Sequence, residues 1–141
     1  MAGSKNAGTS KAEGTLEIAS WEEQPYVQVD DDRKLTSTTV TQKLHGDIEG
    51  EGTATWLAAY RADGTADYVG YQRIVGTIGD AAGSVVLRMT GGYDGAVARS
   101  AWEVIDGVGT GGLAGLTGSG VMEAASSGSP TYTLDYVLGK R

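Results

Sequence analysis

The sequence predicts an all-β domain of about eight antiparallel strands, arranged either as a closed barrel or as a sandwich. Apolar residues recur with a period of two along most of the chain, and no long segment carries the apolar stripe of an amphipathic helix. The 23 glycines are scattered among short apolar runs, which is typical of tight turns and strongly curved strands. Turn-forming stretches such as RADGT and GDAAG separate these runs at short intervals.

The length of 141 residues predicts a single domain. Residues 1–13 are small and polar and lack any period, so we expect a flexible tail followed by one barrel domain over residues 14–141. The alternation of apolar and polar residues predicts strands at 14–21, 34–44, 47–60, 66–78, 84–90, 96–104, 119–124 and 131–138.

Successive side chains of a strand point to opposite faces, so each predicted strand has one inner face. The fourth strand is ambiguous, and we assign Gln72 to the interior because burying Arg73 costs more free energy. The inferred interior is aromatic and rich in sulfur, and it contains a few neutral polar groups. Its apolar members include Trp56, Leu87, Met89, Trp102, Met122 and Leu134, and its polar members are Gln42, Tyr60, Gln72 and Tyr136.

Charge and composition exclude several classes of function. The net charge of −7 argues against a nucleic-acid partner, because phosphate binding needs a concentrated basic face. The absence of cysteine excludes disulfides, thiol nucleophiles and thiolate metal sites. No apolar run is long enough to span a membrane and no signal peptide is visible, so we expect a cytoplasmic protein.

The stretch GDIEGEG concentrates three carboxylates, on Asp47, Glu49 and Glu51. Their spacing of two places them on one face of a strand, about 6–7 Å from neighbour to neighbour. The single histidine, His45, shares that face, but no second histidine is available to complete a metal site or a catalytic triad. We therefore expect a solvated face and no metal.

The stretch GVGTGG, residues 107–112, fits the letters of the dinucleotide-binding motif G-x-G-x-x-G. That motif requires a helix after it, and the following LAGLTGSGVME is typical of a turn and a strand. No nucleotide or other cofactor is expected.

Three blocks of the sequence resemble a bacterial family, domain-of-unknown-function family 3224. They are GTLEIASWEEQPY, the run from KLTSTTVTQKL to VVLRMTG, and GTGGLAGLTGSGVMEA with the later YTLDY. The block GDIEGEGT and the hairpin pattern G-T-I-G-x-x-x-G-S-x-V-L carry the resemblance most specifically. It implies a closed eight-stranded antiparallel barrel of the allene oxide cyclase-like, or calycin-like, kind. Related barrels include enzymes that cyclise reactive polyenes or oxides, although a fold does not determine a function.

The chain departs from the pattern of that family at two interior positions. Gln72 stands where a glutamate is usual, and Met89 stands where a histidine is usual. Both residues flank the GDAAG turn almost symmetrically, so we expect them to be cross-strand neighbours. The resemblance thus implies an acid/base pair in a usual member that is neutral in this chain.

These observations lead to the hypothesis of a cofactor-free cyclase or isomerase that confines an apolar reactive molecule inside the barrel. Its expected catalytic residues are Tyr60, Gln72 and Tyr136, which would stabilise developing charge by hydrogen bonds. Its expected substrate-binding residues are Gln42, Trp56, Leu87, Met89, Trp102, Met122 and Leu134. The alternatives are a non-catalytic carrier or sensor of an apolar molecule, and a packed barrel that forms a homo-oligomer through Val69, Tyr71 and Val75.

Overall fold

A computed structural model describes residues 9–125 and 128–139 of the chain. The regular elements of this part are all strands, and it contains no helix long and apolar enough to cross a bilayer. We number the strands β1 (Ser10–Gln28), β2 (Lys34–Gly46), β3 (Ile48–Tyr60), β4 (Ala66–Ile78), β5 (Ala81–Tyr93), β6 (Val97–Val104), β7 (Thr110–Gly111), β8 (Leu116–Ala125) and β9 (Thr131–Leu138).

Eight of these strands form a closed antiparallel barrel in the order β1-β2-β3-β4-β5-β6-β8-β9. The ring closes where β9 pairs with β1, for example Thr133 with Glu13. The two-residue strand β7 lies outside the ring and pairs with the start of β5. The structure therefore confirms the barrel and excludes the sandwich.

The first strand begins earlier than its sequence predicts. β1 starts at Ser10, so residues 10–13, which we expected in a flexible tail, belong to the barrel wall. Ala12 is fully buried in the core, which explains why this polar-looking segment is ordered. Residues 1–8 of the expected tail lie outside the described residues.

The two ends of the barrel differ in their connections and in their packing. The closed end carries the short β2–β3 and β4–β5 turns, and the open end carries the β1–β2, β3–β4 and β5–β6 loops. Aliphatic side chains fill the closed end and the middle, so the packed core ends partway along the axis. The large buried aliphatic residues are Leu16, Leu44, Ile48, Ile74, Ile78, Leu87, Leu113 and Leu134.

A buried tyrosine fastens the turn between β2 and β3 at the closed end. The Tyr132 hydroxyl accepts a hydrogen bond from the backbone N–H of Ile48 at 2.9 Å and donates one to the carbonyl of His45 at 2.9 Å. The Tyr132 ring stacks on Trp102, with ring centroids 5.8 Å apart. Strand β9 thereby holds a turn that is distant in sequence.

The acidic stretch next to this turn lies on the wet exterior, as expected. Asp47, Glu49 and Glu51 are all exposed. Two of these carboxylates accept backbone hydrogen bonds, Asp47 from Glu13 and Glu49 from Gly46. No group of three or more potential metal ligands occurs in the described parts of the chain. The motif therefore serves the architecture of the turn.

Glycines face the largest interior side chains across the strands. Gly70 lies opposite both Trp56 and Met89, and Gly120 lies opposite Trp102. A Cβ atom added to Gly70 would lie only 2.6 Å from the Trp56 Cβ, which is too close for any side chain. The missing side chains thus allow the backbones of neighbouring strands to approach closely at these positions.

Candidate functional site

An apolar cavity of about 320 Å³ occupies the open end of the barrel. It begins where the aliphatic core stops, and residues from seven of the eight barrel strands contribute to its wall. The lining residues are Leu16, Ile18, Trp21, Gln42, Trp56, Ala58, Tyr60, Gly64, Ala66, Tyr68, Met89, Tyr93, Ala98, Ser100, Met122, Ala124 and Pro130.

Three aromatic rings line one side of the cavity. The Trp21 and Trp56 rings meet edge to face, with centroids 5.4 Å apart, and Tyr68 follows at 5.9 Å from Trp56. Met89 on β5 and Met122 on β8 also line the cavity, and Met89 is separated from Trp56 only by Gly70 on the strand between them. The wall therefore combines aromatic rings with polarisable thioethers, which suits flat apolar molecules.

A β-bulge brings Trp21 into this wall. The pairing of β1 with β2 shifts between Ile18 and Ser20, so that Trp21 pairs with the inward-facing Val40. Without the shift, the alternation that places Leu16 and Ile18 inside would direct Trp21 outward. The same shift turns Glu23 inward.

The polar groups of the cavity wall are neutral, and none of its lining side chains carries a formal charge. The Tyr68 hydroxyl and the Ser100 hydroxyl share a hydrogen bond of 3.0 Å. Burial raises the pKa of Tyr68, so this hydroxyl stays protonated at neutral pH. Gln42 accepts a hydrogen bond of 2.5 Å from the buried Gln72 amide. The wall can therefore hydrogen-bond a carbonyl or hydroxyl group of a ligand.

The Gln72 amide lies behind Gln42, with a side chain that is only 1% exposed. Its Oε1 atom has no hydrogen-bond partner among the described residues. The same holds for the buried Trp102 Nε1 and Thr38 Oγ1 atoms. Each of these buried atoms costs free energy, because a polar atom that leaves water without gaining a partner is not compensated.

The rim of the cavity holds a carboxylate that binds two hydroxyl groups. Glu23 accepts a hydrogen bond of 2.6 Å from the Tyr60 hydroxyl and one of 2.9 Å from the Thr36 hydroxyl. Burial, and then the hydrogen bond and negative charge of Glu23, raise the pKa of Tyr60 to about 12. Tyr60 is therefore a protonated donor at neutral pH, and its proton is directed to Glu23.

We expect Tyr60 to ionise well above the ordinary tyrosine pKa of 10.0, near pH 12. Because the folded-state pKa is raised, its contribution to stability is complete below about pH 10 and is lost as the pH rises through 12. Ultraviolet difference titration of the wild type and Tyr60→Phe isolates this phenolate. Glu23→Gln should lower the Tyr60 pKa only in part, because burial remains. Ionisation of Tyr60 together with the exposed tyrosines would contradict the assignment.

The structure places the residues expected at the site in three locations. Those on the cavity wall are Gln42, Trp56, Tyr60, Met89 and Met122. Those packed in the core below it are Gln72, Leu87, Trp102 and Leu134. Tyr136 lies at the closed end, where its hydroxyl is close to Gly79. The cavity is thus shorter than the sequence suggested, and Tyr136 is remote from it.

The expected contact between Gln72 and Met89 is wrong in its register. Gln72 pairs with Leu87, and Met89 pairs with Gly70, so the two side chains are diagonal neighbours on the inner face. The turn consists of Gly79 and Asp80 alone, because β5 already begins at Ala81. A shorter turn moves every pair of this hairpin by two residues.

Sequence reasoning missed Trp21, Glu23, Tyr68 and Ser100 as site residues. Tyr68 lies on the same strand face as Gln72, and Ser100 on the same face as Trp102, and both faces were correctly predicted to point inward. The sequence did not show that the two hydroxyl groups lie within hydrogen-bond distance of each other. No signal in the sequence marks the bulge that turns Trp21 and Glu23 inward.

Comparisons with known proteins agree with this architecture. The chain is similar to a crystal structure of a protein with unknown function from the DUF3224 family, from Shewanella oneidensis MR-1. The two share 23% sequence identity with a TM-score of 0.74, over 94% of this chain and 99% of the other. No curated protein matches the chain. Residues 12–136 match the family described as "Protein of unknown function (DUF3224)". Because this match covers most of the sequence, the chain belongs to the DUF3224 family.

Proposed function

We propose that the protein binds a neutral, apolar small molecule in the cavity at the open end of the barrel. The observation that supports this proposal is a volume of about 320 Å³ enclosed by rings, thioethers and small side chains. An apolar cavity of roughly 150 Å³ can hold one benzene molecule, so this one accommodates a ligand of about two rings. Clefts of this size and lining are typical of small-molecule sites.

The lining selects against a charged ligand. A charge that enters an apolar cavity without a partner loses its hydration, at a large cost in free energy. Gln42, Tyr68 and Ser100 offer only neutral donors and acceptors. The rim carboxylate of Glu23 is already hydrogen-bonded to two hydroxyl groups, and its negative charge disfavours a carboxylate on the ligand. A ligand with one carbonyl or hydroxyl group fits these properties best.

The test is a titration with N-phenyl-1-naphthylamine, a neutral two-ring probe that fluoresces in apolar surroundings. We expect saturable binding with a dissociation constant of about 1–10 μM, as for a small apolar ligand with few polar contacts. The anionic analogue 1-anilinonaphthalene-8-sulfonate should bind at least about tenfold more weakly, since its sulfonate has no partner. Equal binding of the two probes, or no saturable binding of the neutral one, would overturn the proposal.

A second candidate function is cyclisation or isomerisation of the bound molecule. The resemblance to allene oxide cyclase-like barrels favours it, as does the Tyr60–Glu23 pair on the rim. A cavity that holds a flexible molecule in a reactive conformation accelerates a unimolecular step without a cofactor. The hydroxyl groups of Tyr60 and Tyr68 could hydrogen-bond an oxygen that gains charge during the reaction.

Chromatography distinguishes catalysis from non-catalytic binding. Apolar molecules that the protein captures from cell extract are released and identified by mass. They are then incubated again with the protein, and their retention is compared with that of untreated samples. A change of retention at constant mass supports an isomerase or cyclase, and we expect Tyr60→Phe to slow it. Return of the molecule unaltered supports the carrier and excludes the catalytic candidate for that ligand.

A further inference from the structure

Within residues 9–125 and 128–139, the distal half of β1 pairs with a neighbouring strand along one edge only. The β9–β1 ladder ends at the pair Thr131–Thr15, and one further bond of 2.9 Å joins the Leu16 N–H to the Pro130 carbonyl. Beyond that point β1 pairs with β2 alone within the described parts of the chain. Among the described residues, the barrel wall therefore has a lateral slot between the distal half of β1 on one side and Ala124 and Pro130 on the other.

The slot leads into the cavity, because cavity-lining residues flank it on both sides. Ile18 and Trp21 lie on its β1 side, and Met122, Ala124 and Pro130 lie on its β8–β9 side. These side chains are apolar, so a ligand that passes between them meets the same environment as inside. The axial mouth of the barrel is the competing route, with Gly64 and Tyr93 at its border.

Trp21 stands between the cavity and the solvent at this slot. Its indole lines the cavity and packs edge to face on Trp56, yet 52% of the residue is exposed. Because Trp21 is accessible to solvent and also lines the cavity, only this one side chain separates the cavity from the solvent at the slot. It lies on a strand bonded along a single edge, which opens more easily than one bonded along both.

We propose that ligands enter and leave through the lateral slot and that Trp21 determines how fast they pass and how large they can be. This inference rests on the proposed binding function. Passage requires the Trp21 ring to turn away from Trp56, so the edge-to-face contact adds to the barrier in both directions. Ligands wider than the opened slot are excluded whatever their affinity for the cavity.

Stopped-flow fluorescence with N-phenyl-1-naphthylamine tests the proposal on the full chain. Trp21→Ala should raise the association and dissociation rate constants together, each about fivefold, as expected for removal of one aromatic contact from the barrier. The dissociation constant should change much less than either rate. Trp21→Leu, which keeps an apolar side chain in the wall, should show the same direction and serves if the alanine variant fails to fold.

Tyr26→Ala serves as the control, because it removes an exposed aromatic residue from the same strand without touching the cavity, so its rates should equal those of the wild type. Tyr93→Ala widens the axial mouth and also removes a cavity-lining side chain, so we expect it to raise the association rate constant less than Trp21→Ala does. An equal or larger rise in Tyr93→Ala would overturn the inference and assign passage to the axial mouth.

The possible results distinguish a failure of the proposed entry route from a failure of the proposed binding function. Unchanged rates in both Trp21 variants, or a rise in dissociation alone, would overturn the inference and leave Trp21 as a plain wall residue. Absence of probe binding to the wild type would overturn the proposed function, and the inference with it. A probe with a third fused ring should gain more in association rate from Trp21→Ala than the two-ring probe does.

Discussion

Replacing Tyr132 by phenylalanine is expected to lower the free energy of unfolding by about 2 kcal/mol. The change deletes one oxygen atom and keeps the ring that stacks on Trp102. It leaves the N–H of Ile48 without its acceptor and the carbonyl of His45 without its donor. The two groups lie at the end of β2 and the start of β3, on either side of the turn that connects these strands. An unpaired buried backbone group costs free energy comparable to a lost hydrogen bond.

Urea denaturation followed by tryptophan fluorescence measures this loss. Tyr71→Phe is the matched control, because Tyr71 is exposed on the barrel exterior and its hydroxyl can bond to water in either state. The control should differ from the wild type by less than about 0.5 kcal/mol. A Tyr132→Phe variant as stable as the control would show that the hydroxyl does not fasten the turn. Probe binding should persist in the folded variant, since Tyr132 does not line the cavity.

Ala98→Trp is expected to weaken binding of the neutral two-ring probe by at least tenfold, a loss of about 1.4 kcal/mol or more. Ala98 is half-buried on β6, and its side chain lines the cavity. An indole at this position occupies much of a volume of about 320 Å³ that otherwise receives the ligand. Because the cavity opens at the barrel end, we expect the new ring to fit without distorting the packed core.

The same titration and a denaturation curve for each variant check this result. Ala101→Trp adds an equal ring to the same strand on the exposed outer face and should bind the probe as the wild type does. Unchanged affinity in Ala98→Trp would place the probe elsewhere on the protein and remove the main support for the proposed site. Loss of affinity in both variants would point to an indirect effect of the added ring.

The inner and outer faces of most strands were predictable from sequence because a closed barrel has one dry side. The relative cost of burying Gln72 and Arg73 correctly oriented β4, and Gln72 is buried while Arg73 is exposed. Alternation likewise placed Asp47, Glu49 and Glu51 outside, and all three are exposed. These results follow from local chemistry, which the sequence displays directly.

Register and bulges were not predictable, because they depend on partners that are distant in sequence. The segment around Ala19 contains no glycine or proline, yet the pairing of β1 with β2 shifts there and reverses the faces that follow. Trp21 and Glu23 were therefore not predicted as site residues. The length of the β4–β5 turn was likewise not evident from the sequence. Because turn length sets the register of the hairpin, the predicted pairing of Gln72 with Met89 was wrong. The position of the cavity depends on how far the aliphatic core extends along the barrel axis. This extent results from side chains of all the strands together, so the sequence of one strand does not predict it.

The glycines opposite the large interior rings have a consequence for how this barrel can change. A Cβ atom at Gly70 would lie 2.1 Å from the Thr55 carbonyl oxygen and 2.5 Å from the Trp56 Cα atom. Both are backbone atoms, so shrinking the Trp56 side chain would not make room for a larger residue at position 70. We therefore expect relatives with the same strand pairing to retain glycine there. The shape of the interior can vary through the ring at position 56, while the wall of backbone hydrogen bonds stays the same.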